Sequence, residues 1–455
     1  MNALSVQQVL EATGGILVCG NPSQNFSGIT TDSRNVAYGA LFIPFAGETF
    51  DAHDFVDSAL KSGAGGVLTH KDLNLSTESA VIRVQDTKKA YGDIARYYKN
   101  VIAPKTVAIT GSVGKTTTKD MVACVLATQF RLTATEKNYN NEIGVPKTLL
   151  SLKPDDEVAV IEMGMNHFGE IRYLSSIVRP DAAVITNIGM SHIENLGSQE
   201  GILKAKLEVL EYLSEDGVLF VNGDDALLSG VKAPRKIVRF GIKDESCDYV
   251  ATQICSGSEE IEFDVAHKRK KAHVHLRVPG EHNVYNALAA IAVGEYFGLT
   301  LAQAAKGVEK FVPGDKRMNI IKTERFVILN DCYNASPASI EAAVQVLCGL
   351  ESSRKVAILG DVKELGDFAP AAHGKIGKAV GRAGVDMVIA IGDNAKFVCR
   401  GAEEGGITKE NIHGFKTRQQ AIEALPNLMQ SGDAVLVKAS RAMQLEHVTE
   451  ALKEL

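Results

Sequence analysis

Short, almost wholly apolar runs recur along the chain and alternate with polar, helix-patterned stretches. In the middle third these runs are Val107 to Thr110, Val158 to Ile161, Ala182 to Ile185, Val218 to Val221 and Ile237 to Phe240. Runs of this kind predict parallel strands buried on both faces, with crossover helices between them. A second set, Phe326 to Leu329, Val356 to Leu359, Val388 to Ile391 and Ala434 to Val437, predicts another Rossmann-like α/β unit near the C-terminus. No G-x-G-x-x-G follows any of its strands, so a dinucleotide is not indicated. Between the two sets the period changes to two: Ile261, Phe263 and Val265, then Val274, Leu276 and Val278. That alternation predicts a β-hairpin with the basic run His267 to Lys271 at its tip. Before Asn100 the pattern is a strand at Leu41 to Pro44, a loop, and an amphipathic helix near Phe55 to Ser62. Pro-containing polar stretches at Tyr98 to Lys105 and Val312 to Lys316 divide the chain into 1–102, 103–312 and 313–455. The expected fold class is therefore α/β, in three domains. The central domain has a doubly wound, mainly parallel sheet with a hairpin-rich part.

Composition narrows the function classes. A chain of 455 residues is too long for a single core, and 45% hydrophobic with 23% charged residues is ordinary for a globular protein. A net charge of -6 gives no electrostatic case for nucleic acid or an anionic membrane. Seven scattered cysteines without a C-x-x-C pair favour reduced thiols. Met1 to Gly15 does not read as a secretory leader, and no apolar run reaches membrane-spanning length, so a cytoplasmic, monomeric protein is expected.

The chemistry concentrates at Thr106 to Lys119, T-V-A-I-T-G-S-V-G-K-T-T-T-K. A strand, a glycine loop and a helix follow in the order that phosphate binding requires. Gly111, Ser112, Val113 and Gly114 can turn backbone N–H groups toward an anion at the positive end of the helix. Lys115 can reach outer phosphates, the Thr116 hydroxyl can ligate Mg²⁺, and Thr117 continues the cradle. The generic pattern has a further glycine where Ile109 stands. Glu162 ends an apolar strand, where a second carboxylate would hold the Mg²⁺ of ATP or simply cap the strand. His192 is a ligand or a turn histidine. Asn283 and Asn286 share one helix face and offer the donor and acceptor that adenine's edge needs. Asp32, Ser33 and Arg34, in T-D-S-R, are donors for a uridine nucleotide or the caps of a turn.

These motifs together resemble the Mur ligases over essentially the whole chain. The compact T-G-S-V-G-K-T-T loop, T-D-S-R with G-A-L-F-I-P-F-A-G and F-D-A-H-D-F, K-N-Y-N-N-E-I-G-V-P-K, E-M-G-M-N-H-F-G-E-I, D-C-Y-N-A-S-P and L-G-D-V-K-E-L-G carry the resemblance. It implies ATP-dependent addition of D-alanyl-D-alanine to UDP-N-acetylmuramoyl-tripeptide through an acyl phosphate, in peptidoglycan precursor synthesis. It also implies two Mg²⁺ ions, with Thr116 and Glu162 on the first and His192 on the second. Lys206, carbamylated by CO₂, would bridge toward the second ion. Arg317 and Asp331 would reach ATP from the closing C-terminal domain, and Asn138, Asn140 and Asn141 would meet the UDP-linked substrate. Departures from the family pattern are the absence of an acidic residue after Arg317, Ala52 in place of glycine, and Ala439 before Ser440-Arg441. Other readings stay open: the ligase that adds the third residue, folylpolyglutamate synthetase, and a non-catalytic nucleotide-binding protein. Whether the tripeptide ends in diaminopimelate or lysine is also open.

Overall fold

The computed structural model describes residues 3–47, 49–73, 77–314 and 318–455. Three α/β domains follow one another, each built on its own sheet. In the N-terminal sheet Ile29–Thr30, Leu41–Phe42, Gly66–Thr69 and Ala80–Arg83 pair in parallel, and Ile16–Cys19 closes the edge antiparallel. The apolar stretch expected at Leu41 to Pro44 thus forms a strand of only two residues. The expected helix after it begins as a 3₁₀ turn at Ala52–Phe55 and becomes α-helical over Val56–Lys61.

The central sheet has nine strands. Leu132–Ala134, Val158–Glu162, Lys105–Thr110, Ala182–Ile185, Val218–Asn222, Lys236–Gly241 and Tyr249–Ser256 run parallel in that order. The hairpin Ile261–His267 and Lys270–Leu276 extends the sheet antiparallel. All five central strands expected from the sequence are present. Leu132–Ala134 and Tyr249–Ser256 are additions: the first is three residues long, and the second has a polar outer half with a register shift between Thr252 and Cys255. The hairpin tip is tighter than the basic run suggested. His267 pairs with Lys270, leaving Lys268 and Arg269 as the turn, with Lys268 at φ 55°.

Period-two packing splits the central strands between two cores. Val107 and Ile109 face the helices Lys115–Leu126 and His282–Tyr296, whereas Ala108 faces the opposite layer with Ile161, Ile185 and Ala205. Small residues in His282–Tyr296 let that helix lie close to the loop helix: a Cβ on Gly294 would sit 2.6 Å from Val125. The N-terminal domain joins through the helix Thr87–Ile102, whose first turn is capped by the Asp86 carboxylate. Tyr98 donates to the Leu152 carbonyl at 2.9 Å, and the missing Cβ of Gly92 makes room for the Tyr173 hydroxyl.

The C-terminal sheet has the order Asn319–Lys322, Phe326–Asn330, Asp433–Lys438, Arg354–Gly360, Met387–Ile391 and Ile412–Phe415. Only its first strand is antiparallel. Asn330-Asp331, Gly360-Asp361, Gly392 and Lys438 therefore stand together at the carboxyl edge, where open α/β sheets bind ligands. Among the described residues no helix is long and apolar enough to cross a membrane.

Candidate functional site

The loop at 111–114 connects the central strand Lys105–Thr110 to the helix Lys115–Leu126. Gly111 and Gly114 adopt φ of 149° and 84°, conformations that side chains rarely take. A neighbouring segment holds the loop from beneath. Asn187 accepts from Val113 N–H at 2.9 Å and donates back to the Val113 carbonyl at 2.9 Å, so its amide acts as a backbone strand would. The Asn187 carbonyl accepts from Ser112 N–H, and the Ser112 hydroxyl accepts from Gly189 N–H at 2.8 Å. In the sequence Asn187 is a polar residue just past the run Ala182 to Ile185. Its role depends on two strands being adjacent in the sheet. Lys115 folds back so that Nζ donates to the Gly111 carbonyl at 2.8 Å, which puts its cation across the mouth of the loop.

Glu162 lies at the end of the adjacent strand and is 2% exposed. One carboxylate oxygen accepts from Thr116 Oγ1 at 2.7 Å and the other from Asn140 Nδ2 at 2.7 Å. Glu162, Thr116 and Asn140 thus form one cluster beside the loop. The first two are oxygen ligands suited to Mg²⁺, which also takes waters and phosphate oxygens. Among the described residues no three His, Cys, Asp or Glu side chains converge into a ready cation cage, so a cation here would depend on ligands brought by a bound phosphate.

Lys206 lies in the helix Gln199–Leu207 and is 2% exposed. Its amine donates no hydrogen bond among the described residues. Burial first, and the charge of Lys115 second, push it well below the usual lysine range. Lys204, two residues earlier, instead reaches over the Phe168 ring at 5.8 Å. His192 caps a short helix at φ 63° and has Nδ1 2.5 Å from Glu364 Oε2 of the C-terminal domain. This is an ion-pair distance, at an angle outside hydrogen-bond geometry. The His192 contact draws the Glu364 carboxyl below its ordinary range. In the sequence Glu364 is one residue of L-G-D-V-K-E-L-G with no partner indicated, because that partner comes from another domain.

The remaining expected residues fall in several places. Asn283 and Asn286 lie under the loop helix. Asn286 Oδ1 accepts from Thr118 Oγ1 at 3.0 Å, its Nδ2 donates to Asn283 Oδ1, and Asn283 Nδ2 donates to the Pro279 carbonyl. Their amides therefore brace the loop against the helix His282–Tyr296. Asp331 is buried and ion-paired with Lys438, which is itself 2% exposed, and it also accepts from Met318 N–H at 3.2 Å. Arg317 lies outside the described residues. Asn138 is exposed, and Asn141 accepts from Gly144 N–H at 2.9 Å, starting the helix Gly144–Leu150. In the N-terminal domain Asp32 and Arg34 engage each other through two hydrogen bonds of 2.9 Å. These bonds, together with Arg34 N–H, hold the exposed Asp32 carboxyl down at about 2. Here the T-D-S-R segment forms a turn closed on itself.

The sequence is 39% identical over 457 residues to the UDP-N-acetylmuramoyl-tripeptide--D-alanyl-D-alanine ligase of Bacillus subtilis, covering 99% of this chain and 98% of that one. The chain belongs to the Mur ligase family. Three models of this Mur ligase family match in order: the family's catalytic domain at residues 25–99, its middle domain at 109–294 and its glutamate ligase domain at 316–441. A crystal structure of MurF from Acinetobacter baumannii superposes with a TM-score of 0.94 at 32% identity, covering all of both chains. MurF from Thermotoga maritima in complex with ADP superposes at 0.84 with 26% identity over 94% of this chain and 97% of that one.

Proposed function

We propose that this Mur ligase uses ATP to join UDP-N-acetylmuramoyl-tripeptide to D-alanyl-D-alanine, completing a cytoplasmic peptidoglycan precursor. The end-to-end similarity to the Bacillus subtilis enzyme of that name carries the reading. The site's geometry supports it. Residues 1–102 take the uridine end, with Asp32, Ser33 and Arg34 available once their turn opens. Residues 103–312 hold ATP and the reacting carboxylate, and 313–455 deliver the amine.

The tripeptide's terminal carboxylate attacks the γ-phosphorus of ATP, forming an acyl phosphate and ADP. The amine of D-alanyl-D-alanine then attacks the acyl carbon, inorganic phosphate leaves, and the ammonium proton passes to solvent. Lys115 swings from the Gly111 carbonyl onto the outer phosphates and offsets the repulsion between two anions. Gly111 to Thr117 supply N–H and hydroxyl donors, and Asn283 and Asn286 fix the loop from the adenine side. Thr116 and Glu162 would hold one Mg²⁺, and His192 and Lys206 would serve a second; such ions would supply electrostatic stabilisation of the phosphoryl transfer. Buried and low in basicity, Lys206 is suited to add CO₂ as a carbamate, which turns a cation into an oxygen ligand. Asn140 orients Glu162, and Asn138 and Asn141 stand on the substrate side. Contacts such as Glu364 with His192 bring the C-terminal domain over the site and keep water from the acyl phosphate, and to Arg317 and Asp331 we assign the contacts of that domain with ATP. The protein acts as a monomer.

Phosphate release tests the reading. Stimulation that requires both the UDP-linked tripeptide and D-alanyl-D-alanine is expected. Stimulation by a free diamino acid with the UDP-linked dipeptide, by a folate, or by neither overturns it.

A further inference from the structure

A cleft of about 520 Å³ opens where the N-terminal domain meets the central one. Its walls include Lys88 from the helix Thr87–Ile102, Asn141 and Glu142 from the segment after Asn140, Gly164, and the rings of Phe168 and Tyr173. It adjoins the reaction site directly. Gly164 N–H donates to the Asn140 carbonyl at 2.8 Å, and the Asn140 amide holds Glu162. A Cβ on Gly164 would meet the Asn140 amide at 3.0 Å, so the cleft wall packs closely on the side chain that holds Glu162 because glycine stands there.

The charges in the cleft are not equally engaged. Asp86 spends its carboxylate on the first N–H groups of its helix, and Lys89 is paired with Asp93 at 2.6 Å. Glu170 accepts from Asn166 N–H at 2.7 Å and contacts His167. Lys88 and Glu142 have only each other among the described residues, at a loose 3.8 Å and with side chains 43% and 42% exposed. One cation and one carboxylate thus face each other across the domain junction with room between them, above an apolar wall formed by Phe168 and Leu174.

We infer that this cleft receives the side chain of the tripeptide's third residue, and that the Lys88 and Glu142 pair selects one ending in an amino-acid zwitterion. The inference rests on the reaction proposed above, in which the third residue's carboxylate is the one activated. Its side chain branches from the carbon next to the reacting carboxyl and must leave the site within a few bonds of Glu162. The alkyl stem lies on Phe168 and Leu174. A terminal ammonium meets Glu142 and a terminal carboxylate meets Lys88, so each protein charge exchanges a loose partner for a close one. A lone ammonium, as on lysine, would displace Lys88 from Glu142 and leave that cation without a counter-charge.

Steady-state kinetics of the full-length enzyme with two UDP-linked tripeptides, one ending in diaminopimelate and the other in lysine, tests this. Wild type is expected to favour the diaminopimelate substrate in kcat/KM by about tenfold. Lys88→Met should raise KM for that substrate by roughly five- to tenfold and leave the lysine substrate unchanged or improved, with Lys88→Arg restoring the preference. Glu142→Gln should weaken both substrates. A wild-type preference for lysine, or equal effects of Lys88→Met on the two substrates, overturns the assignment while leaving the ligase reading intact. Ligation of neither tripeptide overturns the ligase reading itself.

Discussion

A Cβ atom on Gly111 would lie 1.8 Å from Thr186 Oγ1, the hydroxyl that donates to the Val113 carbonyl inside the phosphate loop at 2.6 Å. The loop and the neighbouring strand end are therefore built around the absence of that one carbon. Gly111→Ala must displace either Thr186 or the loop, and it adds strain at φ 149°. Calorimetric titration with an ATP analogue should find nucleotide binding lost, with Tm reduced. Thr186→Ala in the same chain should recover part of the Tm but little of the binding, because the strained φ persists. Unchanged binding by Gly111→Ala would mean that the nucleotide sits elsewhere.

The buried pair of Asp331 and Lys438 spans the ends of two adjacent C-terminal strands. Lys438 also donates to the Asn334 carbonyl at 3.1 Å. Removing one partner leaves a charge without compensation, whereas removing both leaves none. Asp331→Ala is expected to cost about 3–5 kcal/mol in urea unfolding. Asp331→Leu combined with Lys438→Met should cost far less, and single and double changes of equal cost would show the pair to be uncoupled. A domain whose unfolding is separate from the rest would report this most cleanly.

Legibility in the sequence followed the range of the interactions. The buried strands could be read because continuous apolar runs have few other uses, and the phosphate loop because its glycines, Lys115 and Thr116 are contiguous. The Thr116 and Glu162 contact could be anticipated, since both lie at the ends of neighbouring parallel strands or just beyond. Asn187, Glu364 and Lys438 could not, because each acquires its role from a partner 74 to 172 positions away. For T-D-S-R the opposite holds: a short polar cluster satisfies itself locally, and Asp32 with Arg34 does so. By residue type alone Lys206 is one of two lysines two positions apart on its helix, with Lys204. Only the packing of that helix onto the sheet shows which of the two is buried.

His282, in the first turn of the helix beneath the loop, sits near Asp331 and Lys438 at the junction with the C-terminal domain. Burial, aided by repulsion from Lys438, lowers its pKa to about 4 against an attraction from Asp331. With the folded value below the unfolded one near 6.5, the unfolded chain binds more protons between these limits. Stability is complete above pH 6.5 and falls as the pH drops toward 4. The loss is at most roughly 3 kcal/mol, a ceiling because the ring retains some solvent exposure. Thermal melts from pH 7.5 to 4.5 should show His282→Gln with a shallower acid dependence than wild type. Parallel curves would place the acid sensitivity elsewhere.

Lys206 sets stability against function. Its folded pKa lies below its unfolded one, so the unfolded chain binds more protons throughout that interval, and stability rises with pH across it. At neutral pH the buried amine is therefore a cost, and Lys206→Met should melt no lower than wild type. Ligation should nevertheless fall, by about tenfold to a hundredfold, if the amine carries the carbamate. Carbamylation needs the unprotonated amine: its lone pair forms the N–C bond to CO₂, and the displaced proton leaves to solvent. The same burial that destabilises the cation favours that unprotonated form. Wild type equilibrated with ¹³CO₂ should give a carbamate carbon resonance that Lys206→Met lacks, and short carboxylates such as acetate should restore part of the ligation to Lys206→Ala. A variant that melts well below wild type would make Lys206 a packing residue, and wild-type turnover without it would remove the carbamate from the mechanism.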